Sequence, residues 1–316
     1  MSEVIQSQTK SQPFRDFMRR LVKEQPIGAV SMVFMVLFCL VALFADVLSP
    51  YHYLDLTMMD RLKGPSSTYL LGTDHIGRDV LTRLLYGAKV SIGVGFAATV
   101  FSVLVAVLIG GVAGFVGGKF DLTVQRFVDA WMSFPGLLLL LTIMTIVEQG
   151  ILQIIVVLGV TSGIANSRVI RSAVIAIKEN VYFEAARAIG APPLQIMLRH
   201  VLPNIMAPVI VIFSITIGGV IIAEASLSFL GFGLPPEVPS WGSMLSREGR
   251  QYMEIAPRLA MWPGVCLTVV VFCFNMFGDA MRDLFDPRLR GGQGSYGTAV
   301  VKRKRGLLSR LLNPFA

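Results

Sequence analysis

Six stretches of this chain are long and apolar enough to be read as membrane-crossing helices, and they decide the fold class before any motif is considered. A spanning helix needs about 20 mostly apolar residues, because the hydrocarbon core is about 30 Å thick and each residue rises about 1.5 Å. The first stretch runs from Ile27 to Ala45, and the second fills the uncharged interval between Lys89 and Lys119. The third lies between Asp129 and Glu148, and the fourth between Gly150 and Arg168. The fifth extends from His200 to Glu224 and the sixth from Arg258 to Asp279. Only Glu148, Gln149 and Gly150 separate the third from the fourth, which predicts a tight helical hairpin. Both are short, so a five-span arrangement with one buried or tilted segment stays open. The expected fold is an all-α integral membrane protein with about six transmembrane helices.

Composition agrees. Of the 316 residues, 54% are hydrophobic and 15% charged, against about 25% charged in an ordinary soluble domain. A net charge of +8 could point to nucleic acid, so the placement of the basic residues has to be read first. With both termini inside, the N-terminal tail, 116–133, 168–206 and 278–316 carry 20 of the 28 lysines and arginines. That bias is the positive-inside pattern, and it predicts an N-in, C-in topology with no nucleic-acid partner. The basic run Lys302-Arg303-Lys304-Arg305 beside the last span reads as contact with anionic lipid.

Several other features are read conservatively. The first apolar run is too long for a cleaved leader and is expected to remain as an anchor. Cys39, Cys266 and Cys273 all lie in apolar stretches and read as packing residues. Gly93, Gly95, Gly110, Gly111, Gly114, Gly218 and Gly219 are expected to let helices approach closely. Gly117-Gly118-Lys119 is not a phosphate loop, since Ala113 replaces its first glycine and Phe120 its Ser or Thr. The chain is therefore expected to have no nucleotide site and no catalytic residue of its own. His52 and His75 fall in external loops and His200 in an internal one, a spacing that suggests no metal site.

The most informative segment is the internal loop between the fourth and fifth spans. Glu184-Ala185-Ala186-Arg187-Ala188 predicts a short helix that Gly190 ends as its cap. Pro192 and Pro193 prevent its continuation, and a second helix is expected from Leu194 to Val201, closing at Pro203. Two short helices meeting at a sharp turn beneath the membrane would form a rigid protrusion. The spacing E-A-A, three residues, Gly, nine residues, x-x-Leu-Pro resembles the EAA loop of binding-protein-dependent ABC importers. Glu184, Ala185, Ala186, Gly190, Leu202 and Pro203 match it element by element. In that family the loop couples the permease to the ATP-binding subunit.

Other segments narrow the resemblance. Leu71-Gly72-Thr73-Asp74-His75-Ile76-Gly77-Arg78-Asp79 is similar to the L-G-T-D-x-x-G-R-D segment of dipeptide, oligopeptide and nickel permeases. Leu81, Leu84 and Leu85 share one helix face, apart from Arg78, Asp79, Thr82 and Arg83, which predicts a helix lying on the membrane surface. Ser226 to Gly233, Pro235-Pro236 and Pro239-Ser240-Trp241-Gly242 resemble the family's external segment after span five. Asn275, Gly278-Asp279, Arg282-Asp283 and Asp286-Pro287-Arg288 resemble its ending, with the usual aliphatic position after Asp279 shifted to Met281. The likeness runs from Ile27 to Arg290.

This resemblance implies the type I ABC importer permease architecture in a prokaryotic plasma (inner) membrane. The expected organisation is a cytoplasmic tail (1–26), an anchor with its external segment (27–88), a permease core (89–290) carrying the coupling loop 168–206, and a basic tail (291–316). It also implies a second permease, two ATP-binding subunits that hold ATP and Mg²⁺, and an external solute-binding protein delivering cargo near Trp241. Candidate residues on the translocation path are Glu224, Asn166 and Asn275, polar groups at membrane depth. A carboxylate solvated at the interface is the competing reading of Glu224. An ATP-independent secondary transporter or channel is the alternative function, but it needs acidic pairs in mid-membrane, and the span interiors are nearly uncharged. A membrane enzyme would need a catalytic constellation, which the spans lack. Peptides, metal chelates and other small solutes all remain open as cargo.

Overall fold

The computed structural model describes residues 13–235 and 237–285. Helices α1 (Pro13–Glu24), α2 (Pro26–Leu43) and α3 (Ala45–Leu48) are followed by an irregular external segment. Helix α4 (Val80–Ala106) continues through a π turn at Val107–Gly111 into α5 (Val112–Val116). Next come α6 (Gly118–Met132), α7 (Gly136–Ile146), α8 (Ile151–Lys178), α9 (Val181–Ala188) and α10 (Pro193–Ile196). A second π turn leads into α11 (Leu202–Asn204) and α12 (Met206–Phe229). Helices α13 (Trp241–Met244) and α14 (Arg258–Phe285) complete the described chain, which contains no β-strand.

Five helical segments are long and apolar enough to span: Pro26–Leu43, Val80–Val116, Ile151–Lys178, Met206–Phe229 and Arg258–Phe285. The expected third span differs. Its residues are divided between α6 and α7, which meet at 89° across the break before Gly136. Pro135 lies at this corner and its extended backbone opens α7. With 11 residues, α7 reaches only about halfway through the hydrocarbon.

The second span also differs, because α4 starts at Val80 and carries Lys89 inside it. Asp79 supplies the start signal, its carboxylate accepting the Thr82 amide at 2.7 Å. Residues 80–88 are thus the first turns of a spanning helix. The expected surface helix and the boundary at residue 88 both fall within α4, and Thr82 and Arg83 are buried. The N-terminal segment, expected as a plain tail, holds α1, whose Leu21 is buried with Ala280 and Leu284 of α14.

α4 lies along α8, α12 along α14, and α14 also packs on α2. The α4–α8 seam depends on small residues: a methyl group added at Gly163 would lie 2.7 Å from the Ser102 carbonyl oxygen. Gly159, Gly110 and Gly114 make similar approaches in the same seam. Gly163→Val should therefore lower the thermal midpoint of the detergent-solubilised protein, at a cost of about 1–3 kcal/mol for overpacking. An unchanged midpoint would contradict the close approach. Gly93 and Gly219 depart from the packing expectation, since nothing lies within 4 Å of a side chain built at either. Cys39, Cys266 and Cys273 are unpaired thiols. The basic run at 302–305, Pro236 and Asp286-Pro287-Arg288 lie outside the described residues.

Candidate functional site

The loop between α8 and α12 is built from local rules. Asn180 ends α8, its side-chain amide donating to the Ala176 and Ile177 carbonyls at 3.1 Å each. The chain then turns into α9. Phe183 and Ala186, one turn apart, bury α9 against Ile170, Val174, Ile196 and Val201. Phe115 meets the Phe183 ring edge-on at 6.1 Å.

Gly190 closes α9 with φ +75°, a conformation that L side chains rarely adopt. The Gly190 amide donates to the Arg187 carbonyl at 3.0 Å, and the Ala191 amide to the Ala186 carbonyl at 3.2 Å. These two bonds form a Schellman cap, which explains why the glycine stands four residues after Ala186. Pro193 opens α10 at its first position, where its missing N–H costs nothing. The second arm continues past the expected stop through Leu202 and Pro203 to Asn204.

Glu184 and Ala185 are exposed, Ala186 is buried, Gly190 and Pro203 are exposed, and Leu202 is half-buried. The hairpin that carries Glu184 also leaves apolar side chains open: Val181 and Ile189 are each 83% exposed, with Leu194 and Leu198 also exposed. Open apolar side chains and a carboxylate on one hairpin are the chemistry that protein-docking surfaces use.

At the other end of the molecule, residues 72–79 fold into a tight loop that leads into α4. Gly72 and Gly77 take φ +80° and +86°, and a side chain at Gly77 would strike the Thr57 backbone. Thr73 Oγ1 accepts the Lys63 amide at 2.9 Å. Asp74 accepts the Ile76 and Arg78 amides at 2.9 Å each and the Arg78 Nε at 2.6 Å. Arg78 Nη2 then donates to Glu248 Oε1 at 2.7 Å, and Arg83 Nη2 lies 3.1 Å from the same oxygen. All four charged groups are buried. Burial pushes the Glu248 carboxyl above its ordinary range, while Arg83 and Arg78 pull it back. His75 brings Asp74 and Glu248 into a grouping whose ligand atoms lie within 4.8 Å. A metal ion there would meet two guanidinium groups already bonded to those carboxylates, so the grouping is built for arginine.

Glu224 is fully buried rather than solvated. Its carboxylate accepts the Ser228 hydroxyl at 2.8 Å and the Ser91 hydroxyl at 3.3 Å, and Ser91 Oγ accepts the Trp241 amide at 3.2 Å. Trp241 is itself fully buried and donates its indole N–H to the Leu84 carbonyl at 3.2 Å. It therefore anchors the external loop and is not open to an outside partner. Asn166 donates to Thr216 Oγ1 at 3.0 Å between α8 and α12. Asn275 of α14 packs on Gly218 of α12. The structure does not bring Glu224, Asn166 and Asn275 together into one site: each occupies its own helix contact.

The chain is similar to known proteins in both sequence and fold. A family profile described as "Binding-protein-dependent transport system inner membrane component" matches residues 106–291. A second, "N-terminal TM domain of oligopeptide transport permease C", matches 12–65. The chain is 37% identical over 292 residues to a glutathione transport system permease protein of Pectobacterium atrosepticum, covering 91% of this chain and 95% of that one. It is 34% identical over 282 residues to a dipeptide transport system permease protein of Alkalihalophilus pseudofirmus, covering 89% and 92%. In fold it is similar to an inward-facing structure of the MetNI methionine ABC transporter, with TM-score 0.53 at 21% identity, covering 65% of this chain and 96% of that chain.

Proposed function

Because this chain belongs to the binding-protein-dependent inner-membrane permeases of ABC importers, we propose that it forms half of an import path for short peptides and takes its drive through the α9–α10 hairpin. It is a multi-pass component of the bacterial inner membrane. The hairpin carries the reading. Glu184 is exposed on a hairpin that also exposes Val181, Ile189 and Leu194, and Phe183 and Ala186 pin that hairpin to the bundle. A partner that grips the exposed face moves α8 and α12 with it, since the buried face belongs to their packing.

In this reading two ATP-binding subunits carry ATP and Mg²⁺, and their closure is passed to the spans through the hairpin. A second, similar permease completes the path, and an external solute-binding protein delivers cargo. The names of the two relatives support a small peptide as cargo. Asn166 and Asn275 are the path candidates that keep partial exposure, while Glu224 serves the path by holding the external loop.

The test is uptake of labelled dialanine into proteoliposomes that hold the whole importer, with its binding protein outside. Uptake should require ATP on the ATPase side and should cease with Glu184→Lys. Uptake driven by an ion gradient without ATP would overturn the reading.

A further inference from the structure

A cavity of about 550 Å³ opens at the external ends of α4 and α8, beneath the segment that follows α2. Its size is within the range of about 300–1,000 Å³ found for small-molecule sites. One wall carries a single ion pair: Lys89 Nζ lies 2.5 Å from Asp46 Oδ2, with side chains 45% and 55% exposed. Tyr86 stacks under the same ammonium at 5.8 Å and meets Tyr53 at 4.8 Å. Hydrogen bonds from Lys89 and Tyr86 hold the Asp46 carboxyl below its ordinary range. His52 also lines the cavity, and the α8 part of the lining, Ile151 and Ile155, is apolar. Gly93 lines the cavity as well, and a side chain built there meets nothing within 4 Å.

We propose that this cavity is a transient binding site for a short zwitterionic peptide, with the ligand ammonium at Asp46 and its carboxylate at Lys89. The inference rests on the peptide-importer reading above and adds a site to it. The chemistry selects the class. A lone cation would meet Lys89, and a lone anion would meet Asp46. A molecule with both charges replaces each half of the ion pair by a partner of its own. Half-exposed pairs are weakly held, and the long lysine stem lets this one part. The tyrosine wall and Ile155 then face the peptide's backbone and side chains. Gly93 keeps the space empty, which accounts for a glycine with no helix packed against it.

The experiment uses the whole importer in nanodiscs, with Cys39, Cys266 and Cys273 replaced by alanine and Gly93→Cys introduced. A hydrophilic methanethiosulfonate is added to the solution, where it reaches both faces of the disc. The probes are dialanine, alanine and N-acetyl-dialanine amide. Dialanine should slow modification about tenfold at ten times its half-protecting concentration. The blocked peptide should give no protection, and Asp46→Asn or Lys89→Met should abolish protection by dialanine. If Gly93→Cys does not assemble, Ile155→Cys serves in its place. No modification without peptide, no slowing by dialanine, or equal slowing by the blocked peptide would overturn the site. Equal protection by alanine would overturn the peptide assignment. Dialanine uptake measured in parallel separates the two levels: uptake without protection removes the site alone, whereas protection without uptake removes the cargo reading and leaves the site.

Discussion

Gly190→Pro is expected to reduce ATP-driven uptake to the level of membranes without ATPase, while the chain still inserts and accumulates. Proline fixes φ near −65°, and the Schellman cap needs +75° at this position. It also removes the N–H that donates to Arg187, so the 3.0 Å bond is lost. The turn between α9 and α10 then cannot form, and Glu184 leaves its place beside the exposed apolar face. Gly190→Ala makes a graded control. Nothing lies within 4 Å of an added methyl group, so its only penalty is conformational, about 1–2 kcal/mol for a left-handed L residue. Alanine should leave measurable uptake where proline leaves none. Wild-type uptake by the proline variant would show that the hairpin does not transmit the drive.

Arg83→Met is the second large effect, and it acts on folding. Asp74 and Glu248 are balanced by Arg78 and Arg83 in a cluster with little water access. Removing one guanidinium leaves an uncompensated buried carboxylate, at a cost of about 3–5 kcal/mol. The variant should accumulate poorly and melt well below wild type in detergent. Arg83→Met combined with Glu248→Gln restores neutrality and should recover a clear part of the loss, because the same interaction is counted in both single variants. A double variant that is worse than either single change would mean the charges act independently. The clasp joins the start of α4 to the turn before α14, so its loss should also loosen the external mouth.

Much of the fold was legible because it depends on local pattern. Apolar length located five spans to within several residues at most ends, and the hairpin's glycine, prolines and alanines sit where capping rules place them. The error at the second span has a physical source. By charge alone Arg83 and Lys89 belong outside a spanning helix, but Arg83 is neutralised by Glu248, a residue far along the chain that spacing alone cannot bring near. Amphipathicity of residues 80–88 suggests a separate surface helix where the chain, capped by Asp79, makes the first turns of α4. The break at Pro135 is missed because residues 129–148 read as one apolar run.

Glu224 failed as a solvated group for a related reason: its hydroxyl partners come partly from Ser91 on another helix. The cap and turn of the α9–α10 hairpin were legible because the motif is continuous in sequence. The cavity beside Lys89 was not, since Asp46, Tyr86 and Ile155 meet only in three dimensions.

The most direct measurement is a mild-detergent pull-down of the tagged chain, assayed for bound ATPase and repeated with Gly190→Pro. The account predicts that wild type brings down a second permease and ATP-binding subunits with ATPase activity. The proline variant should keep the second permease and lose the ATPase. Recovery of the wild-type chain folded but without any ATPase, or equal ATPase with the proline variant, would contradict the claim that the α9–α10 hairpin joins this permease to its motor.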